Sequence, residues 1–308
     1  MATPALNVRR QGTVARWGDR LGLQSGFLPY FLVLPTLLLI LIIAVYPIVD
    51  SIFLSFLDNP LVASGSTFVG LRNYSYIFAS SEFRNSIGST FIFSFATVLL
   101  EFLFGLGIAM LINGTFPGRG LVRASILVPW AFPTLVSAQI WNLMYNSQTG
   151  IITYGLQALH ILPVGSSLLQ TTPGIVIAAV ITDVWKTTPF MALLILAGLQ
   201  VIPNELYEAA SVDGSTRWQQ FWTITLPMLT GPMVIALLFR TLDAIRVFDL
   251  MYILAGRQVE TISSYSYYYM FTGTPSDFPT GLAAAVVLFL MCCLISIFYL
   301  LFLRRAQR

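Results

Sequence analysis

The chain has 308 residues, of which 56% are hydrophobic and only 9% charged, with a formal net charge of +3. A soluble domain carries about a quarter charged residues, so this composition excludes a water-soluble globule and places the chain in a membrane. So small a charge gives no footprint for nucleic acid. The only cysteines, Cys292 and Cys293, are neighbours in an apolar run, where they can neither close a loop nor make a good metal site.

A membrane-spanning helix needs about 20 apolar residues, and six segments qualify. The first is centred on residues 27–49 and carries no charge. Its apolar run is too long for a cleaved signal peptide, and no small-x-small site follows it. The second covers about residues 87–112 and encloses Glu101. The third covers residues 121–145, the fourth 173–199 and the fifth 224–254. The sixth, residues 281–303, is again free of charge. Residues 146–172 are uncharged but rich in Gly, Ser, Thr, Gln and Pro, and read as a loop with a short interfacial helix.

Basic residues near span ends set the orientation. Arg9, Arg10, Arg16, Arg20, Arg119, Arg123, Arg217, Arg304, Arg305 and Arg308 fall on one side, and Arg72, Arg84 and Arg257 on the other. This bias places both termini and the 201–223 loop in the cytoplasm. The organisation read from the sequence is therefore a cytoplasmic segment (1–26), a transmembrane domain (27–303) and a cytoplasmic tail (304–308). No internal repeat is evident.

The loop before the fifth span is polar and helix-prone. Pro203 and Asn204 suit a helix start, with asparagine as cap. Glu205 and Glu208 complement the positive end of the helix dipole. Leu206, Ala209 and Ala210 share one face, while Glu208, Ser211 and Asp213 are polar. Gly214 is expected to end the helix in the left-handed conformation. Ser215 is expected to cap a second helix, on which Trp218, Phe221 and Trp222 recur at three-and-four spacing and lie in the membrane interface. Pro227 then marks entry to the fifth span. Read alone, the segment fits an ordinary surface helix or one laid in a partner's groove, since the small Ala209-Ala210 pair lets another backbone approach.

The order Glu208-Ala209-Ala210, three residues, Gly214, nine residues, then Ile224-Thr225-Leu226-Pro227 resembles the EAA loop of binding-protein-dependent ABC-transporter permeases. The resemblance extends from about residue 28 onward. Val45-Tyr46-Pro47, the run from Phe68 to Tyr74, Leu127-Val128-Pro129 and the run from Phe248 to Leu254 are similar to the carbohydrate-uptake branch. The runs Trp185 to Met191 and Phe239 to Ala244 are similar to permeases for disaccharides and related glycosides, including trehalose. The chain departs from the family after the fifth span, where Ala255-Gly256-Arg257-Gln258 stands in place of a Gly-Gly-Pro turn.

The resemblance implies an all-α fold of type I importer permeases, with six spans, in a bacterial cytoplasmic membrane. It implies that residues 203–227 couple the chain to an ATPase through Glu205, Glu208, Ala209, Ala210, Asp213 and Gly214. The implied partners are a second permease, a pair of ATPases, an extracytoplasmic solute-binding protein and a carbohydrate. ATP and magnesium would sit on the ATPases, with no cofactor on this chain.

The residues themselves supply no catalytic set. Lys186 is the only lysine and follows Trp185, so no P-loop exists. His160 is the only histidine, and no triad or zinc site can be assembled around it. Ionisable residues inside spans are functional candidates by default. In the fourth span Asp183 and Lys186 are spaced to pair, and Pro189 invites a kink beside them. In the fifth, Arg240, Asp243, Arg246 and Asp249 recur every three residues with alternating sign. Asp183 and Arg240 read as structural, and Glu101 as a helix–helix contact. Lys186, Asp243 and Arg246 read as substrate-pathway residues lining a cavity, with Trp185 or Thr187 nearby. Trp130, Trp141, Tyr145 and Trp185 fit sugar stacking or interfacial anchoring. The alternative reading is an ion-coupled secondary transporter or channel using Asp183, Asp243 or Asp249; it would leave the polar loop unexplained.

Overall fold

A computed structural model describes residues 28–61 and 65–306. The N-terminal arginines, the 1–26 segment and Arg308 therefore lie outside the described residues. The chain divides into two units, residues 1–54 and 55–308.

The first unit is one helical run: α1 (Leu28–Ile40), a π-helical turn (Leu41–Val45) and α2 (Tyr46–Leu54). The most apolar 18-residue stretch within residues 32–54 has a mean hydropathy of 2.8. The π turn has a local cause. Pro47 lacks an N–H, and its ring would press on the carbonyl four residues back, inside that turn. Widening the helix by one residue, with the Tyr46 N–H bonding the Leu41 carbonyl, relieves the clash.

The second unit begins with a loop closed by a single antiparallel bridge, Leu57 with Phe68. Asn73 secures it by donating to the carbonyls of Ser55 and Leu57, both at 2.8 Å. Then follow α3 (Arg72–Ala79), α4 (Ser81–Asn113), α5 (Arg119–Ala131), α6 (Thr134–Met144), α7 (Ile151–Ala158) and α8 (Thr172–Leu199). The polar loop after α8 holds α9 (Asn204–Val212) and α10 (Arg217–Gln220), which leads through a π turn (Phe221–Thr225) into α11 (Leu226–Ile245). Pro227 stands to this π turn as Pro47 does to the first. The chain ends with α12 (Asp249–Ala255), α13 (Ile262–Tyr267), a third π turn (Tyr268–Thr272) and α14 (Phe278–Ala306).

Among the described residues five helices are long and apolar enough to cross a membrane, or six where a bent pair counts as one span. That pair, α5 and α6, corrects the expected straight third span: its axes differ by 85°. Pro133 is the cause. It forces Phe132 before it into extended backbone, φ −72° and ψ 138°. The fifth span is also shorter than expected. It stops at Ile245, and residues 249–255 form a separate helix. The Val247 carbonyl, which would continue the ladder, instead receives the Thr261 hydroxyl at 3.0 Å.

α4 and α8 form the spine. α4 buries Phe83, Thr90, Phe93, Thr97, Glu101, Gly105, Ala109 and Ile112, a stripe at helical spacing. Gly105 is where α8 comes nearest: a Cβ there would lie 2.8 Å from Met191 Cγ and 3.2 Å from the Ala192 amide nitrogen. Small residues at such crossings let helices pack where no hydrophobic effect drives them together. One apolar cluster gathers Phe93, Tyr145, Ala178 and Leu250. A second gathers Ala109, Met191, Ile195 and Leu229. Glu101 on α4 falls between Phe93 and Ala109, so a group of charges separates the two.

Candidate functional site: a coupling loop and a charged cavity

The loop helix α9 starts one residue earlier than expected. Pro203 holds the N-cap position in extended backbone (φ −63°, ψ 135°), and Asn204 is the first helical residue with no capping bond. Its end is a Schellman motif. The Ser215 N–H bonds the Ala210 carbonyl at 2.9 Å and the Gly214 N–H bonds the Ser211 carbonyl at 3.1 Å. Gly214 sits at φ +82°, as the sequence led us to expect. Because Ser215 is used in that turn, the cap of α10 passes to Thr216. The Gln219 N–H bonds Thr216 Oγ1 at 3.3 Å and the Thr216 N–H bonds Gln219 Oε1 at 2.8 Å, a reciprocal capping box.

α9 is held to the start of the next span by Gln220, which the sequence reading passed over. Gln220 Nε2 donates to Ser211 Oγ at 2.9 Å and reaches the Tyr207 and Ser215 carbonyls at 3.4 Å. The Tyr207 hydroxyl lies 3.0 Å from Thr225 Oγ1. Glu205, Glu208, Ala209, Asp213 and Gly214 remain exposed, and Ala210 is half-buried. Val212 is 87% exposed. A groove of about 670 Å³ runs beside α9, with Glu208 and Arg217 on its walls and Asn113 and Leu199, the ends of α4 and α8, at its base.

In the middle of the bundle Arg240 of α11 is nearly sealed (2% exposed) and binds three carboxylates. Its Nε and Nη2 grip Glu101 of α4 in a two-pronged contact, the Nη2–Oε1 distance being 2.8 Å. Nη2 also bonds Asp183 of α8, and Nη1 bonds Asp243 at 2.9 Å. Thr187 Oγ1 donates to Glu101 and lies 2.6 Å from the Asp183 carbonyl oxygen. Asp183 therefore pairs with Arg240, not with Lys186 as its spacing had suggested, because the guanidinium fork reaches it from the neighbouring helix. Glu101 is the inter-helix contact it was read to be.

A polar cavity of about 180 Å³ opens against this group. Lys186, Thr187, Asp243 and Arg246 all line it, with Asp183, Arg240, Phe248 and Asp249. Lys186 is 9% exposed and makes no hydrogen bond or ion pair among the described residues. Asp243 is the wet edge of the cluster, its side chain 67% exposed. Trp185 is the exception: it lines an apolar groove with Phe104, Ile126 and Pro189 on another side of α8. One residue is 100° of helix, which turns it away from Lys186. Nor does α8 break at Pro189, where the packing of Met191 and Ala192 against Gly105 holds it. Trp130 stacks on Phe190 with centroids 5.5 Å apart, and Trp141 contacts both Tyr145 and Trp185. Tyr145 is fully buried with its hydroxyl on the Ala178 carbonyl at 3.1 Å, so it is neither a sugar platform nor an interfacial anchor.

Long apolar helices, a braced polar helix outside the spans and a charge-lined cavity between them define a multi-pass membrane transport component. Residues 101–308 match the family described as "Binding-protein-dependent transport system inner membrane component". The chain is 40% identical over 286 residues to the trehalose/maltose transport system permease protein MalF of Thermococcus litoralis, covering 92% of this chain and 95% of that one. It is 36% identical over 283 residues to the trehalose transport system permease protein SugA of Mycobacterium tuberculosis, covering 91% and 88%. In fold it superposes on a chain from the crystal structure of a bacterial ABC transporter involved in alginate import, with a TM-score of 0.78 at 23% identity, covering 96% of this chain and 100% of that one. The chain belongs to the family of inner membrane components of binding-protein-dependent transport systems, and it is a permease subunit, not an enzyme.

Proposed function

We propose that this chain is one of two permease subunits of an ATP-driven importer for a disaccharide or related glycoside. The observation that carries this reading is its 40% and 36% identity, across nine-tenths of its length, to permeases named for trehalose and maltose. In this reading α9 lies in a groove of the ATPase through Glu205, Glu208, Ala209, Ala210 and Asp213, while the turn at Gly214 returns the chain to the membrane. ATP and magnesium are held by the ATPases. A binding protein delivers the sugar on the other side, which places the 201–223 loop in the cytoplasm.

The sugar passes the polar cavity. A carbohydrate is neutral and rich in hydroxyls, and Lys186, Thr187, Asp243 and Arg246 offer it donors and acceptors in one small space. ATP-driven closure of the ATPases moves α9, and the Gln220 brace passes that motion to α10 and α11. The test is purification of the tagged chain with its neighbours, then reconstitution in vesicles with the binding protein. Copurification of an ATPase and ATP-dependent uptake of labelled trehalose or maltose are expected. Uptake driven by an ion gradient with no ATPase present would overturn the reading.

A further inference from the structure

The aromatic residues singled out from the sequence as sugar platforms lie away from the polar cavity, but a different set leads into it. Phe248 lines the cavity itself. Its ring centroid is 5.4 Å from that of Tyr252 and 4.8 Å from that of Tyr267. Tyr252 lies 6.0 Å from Tyr268, and the Arg257 guanidinium sits 4.8 Å over the Tyr268 ring. Arg257 in turn lines a polar groove of about 830 Å³ with Glu82, Asn85, Gln258 and Glu260. That groove is built on the first turns of α4 and α8, and the coupling groove on their last residues. A file of contacting rings thus joins a polar groove at one end of the bundle to the charged cavity at its middle.

Two properties of this file point to a ligand. None of the rings is buried: Tyr252 is exposed, and Phe248, Tyr267 and Tyr268 are half-buried, so ring surface is open along the file. The hydroxyls of Tyr252, Tyr267 and Tyr268 also make no hydrogen bond among the described residues. These hydroxyls are thus free to bond a ligand, and one facing hydrocarbon would be left unsatisfied. A pyranose ring meets both needs at once: its C–H face packs on the aromatic face and its hydroxyls bond the phenols. Single interfacial anchors have no reason to contact one another in sequence toward a cavity.

We propose that Phe248, Tyr252, Tyr267 and Tyr268 form a stacking track that carries a pyranoside from the groove at Arg257 to the polar cavity at Asp243 and Arg246. The proposal rests on the sugar reading above. Sugars slide along such a track because each ring offers the same face, whereas hydrogen bonds alone would hold them at fixed points.

The test uses the complete transporter in vesicles with its binding protein. Tyr252→Leu keeps bulk but removes the ring, and Tyr252→Phe keeps the ring. Uptake should fall about ten-fold in Tyr252→Leu, equivalent to about 1.4 kcal/mol, and recover largely in Tyr252→Phe; Tyr154→Leu, an exposed tyrosine on α7, serves as control. In a second measurement Tyr252→Cys is placed in a Cys292→Ser, Cys293→Ser background and labelled with a water-soluble maleimide. Labelling should be rapid and slowed by saturating trehalose or maltose. Full uptake in Tyr252→Leu, an equal loss in Tyr252→Phe, or a cysteine unreactive without sugar (a face covered by lipid or the partner permease) would each overturn the track. If the unaltered transporter carries no sugar at all, it is the functional reading that fails.

Discussion

Replacing Arg240 with leucine removes the one cation that holds Glu101 and Asp183, whose side chains are 0% and 10% exposed. Breaking a buried ion pair by deleting one partner costs about 3–5 kcal/mol, because a charge is left without compensation. Two carboxylates lose their partner here, so the upper end of that range applies. In a bundle of this size about 2–4 °C is lost per kcal/mol, and the melting midpoint of the purified transporter in detergent should fall by about 10 °C or more. Arg240→Lys should recover only part of this, since an ammonium lacks the planar fork that serves three carboxylates together. The double variant Arg240→Leu, Glu101→Leu should melt above the single Arg240→Leu, because one stranded charge is gone. Melting followed by fluorescence-detected gel filtration reads the unaltered protein, the Arg240→Leu, Arg240→Lys and Glu101→Leu single variants and the double variant. A single Arg240→Leu variant that melts with the unaltered protein, or strictly additive losses in the double variant, would refute the account.

Glu208→Lys reverses a charge on the exposed face of α9, and loss of a buried charged contact at an interface costs roughly 2–5 kcal/mol; copurification of the ATPase should collapse while membrane insertion stays normal, which a pull-down and membrane fractionation will check. A Cβ added at Gly214 would meet no atom within 4 Å, so the main effect of Gly214→Val is backbone strain at positive φ, of about 1–2 kcal/mol or more; ATP hydrolysis should persist with uptake lost, and a variant with full uptake would discard the tight-turn argument. Asp243→Asn and Arg246→Gln should each lower uptake more than ATPase activity, since both line the cavity; equal loss of the two activities would assign these residues to assembly.

Much of this molecule can be read from its residues because the governing signals are local. Apolar length alone locates the five long apolar helices and the bent pair between them, and Gly214 announces a turn that no side chain contradicts. Glu101 is legible as a helix–helix contact and Arg240 as a structural charge, because a charge in hydrocarbon must find its opposite, although their pairing with each other appears only in the structure. The failures share a cause, which is that the deciding partner is remote in sequence. The spacing of Asp183 and Lys186 is correct for a pair, yet the fork of Arg240, 57 residues away, takes the carboxylate. Hydropathy runs on past Ile245, and only Thr261 explains why the helix stops. Pro133 was visible in the third span, but its apolar surroundings hid the bend. Trp185 was grouped with Lys186 by adjacency, although adjacency on a helix separates side chains. Gln220 gave no signal, since its three acceptors come together only when α9 folds back.

The salt-bridged knot of Glu101, Asp183 and Arg240 also has a mechanical meaning. It pins three helices at one height, so α8 cannot bend there without tearing charges apart, and in the importer proposed above it would rock as a rod. Asp183 then acts as a fulcrum. From it α8 extends 16 residues, about 24 Å, to Leu199 beside the coupling loop, and 11 residues, about 16 Å, to Thr172 at the far groove. The longer arm lies on the side of α9, where the ATPase contact proposed above would deliver its force. A displacement delivered at Leu199 would thus reach Thr172 reduced to about two-thirds, with the force correspondingly raised.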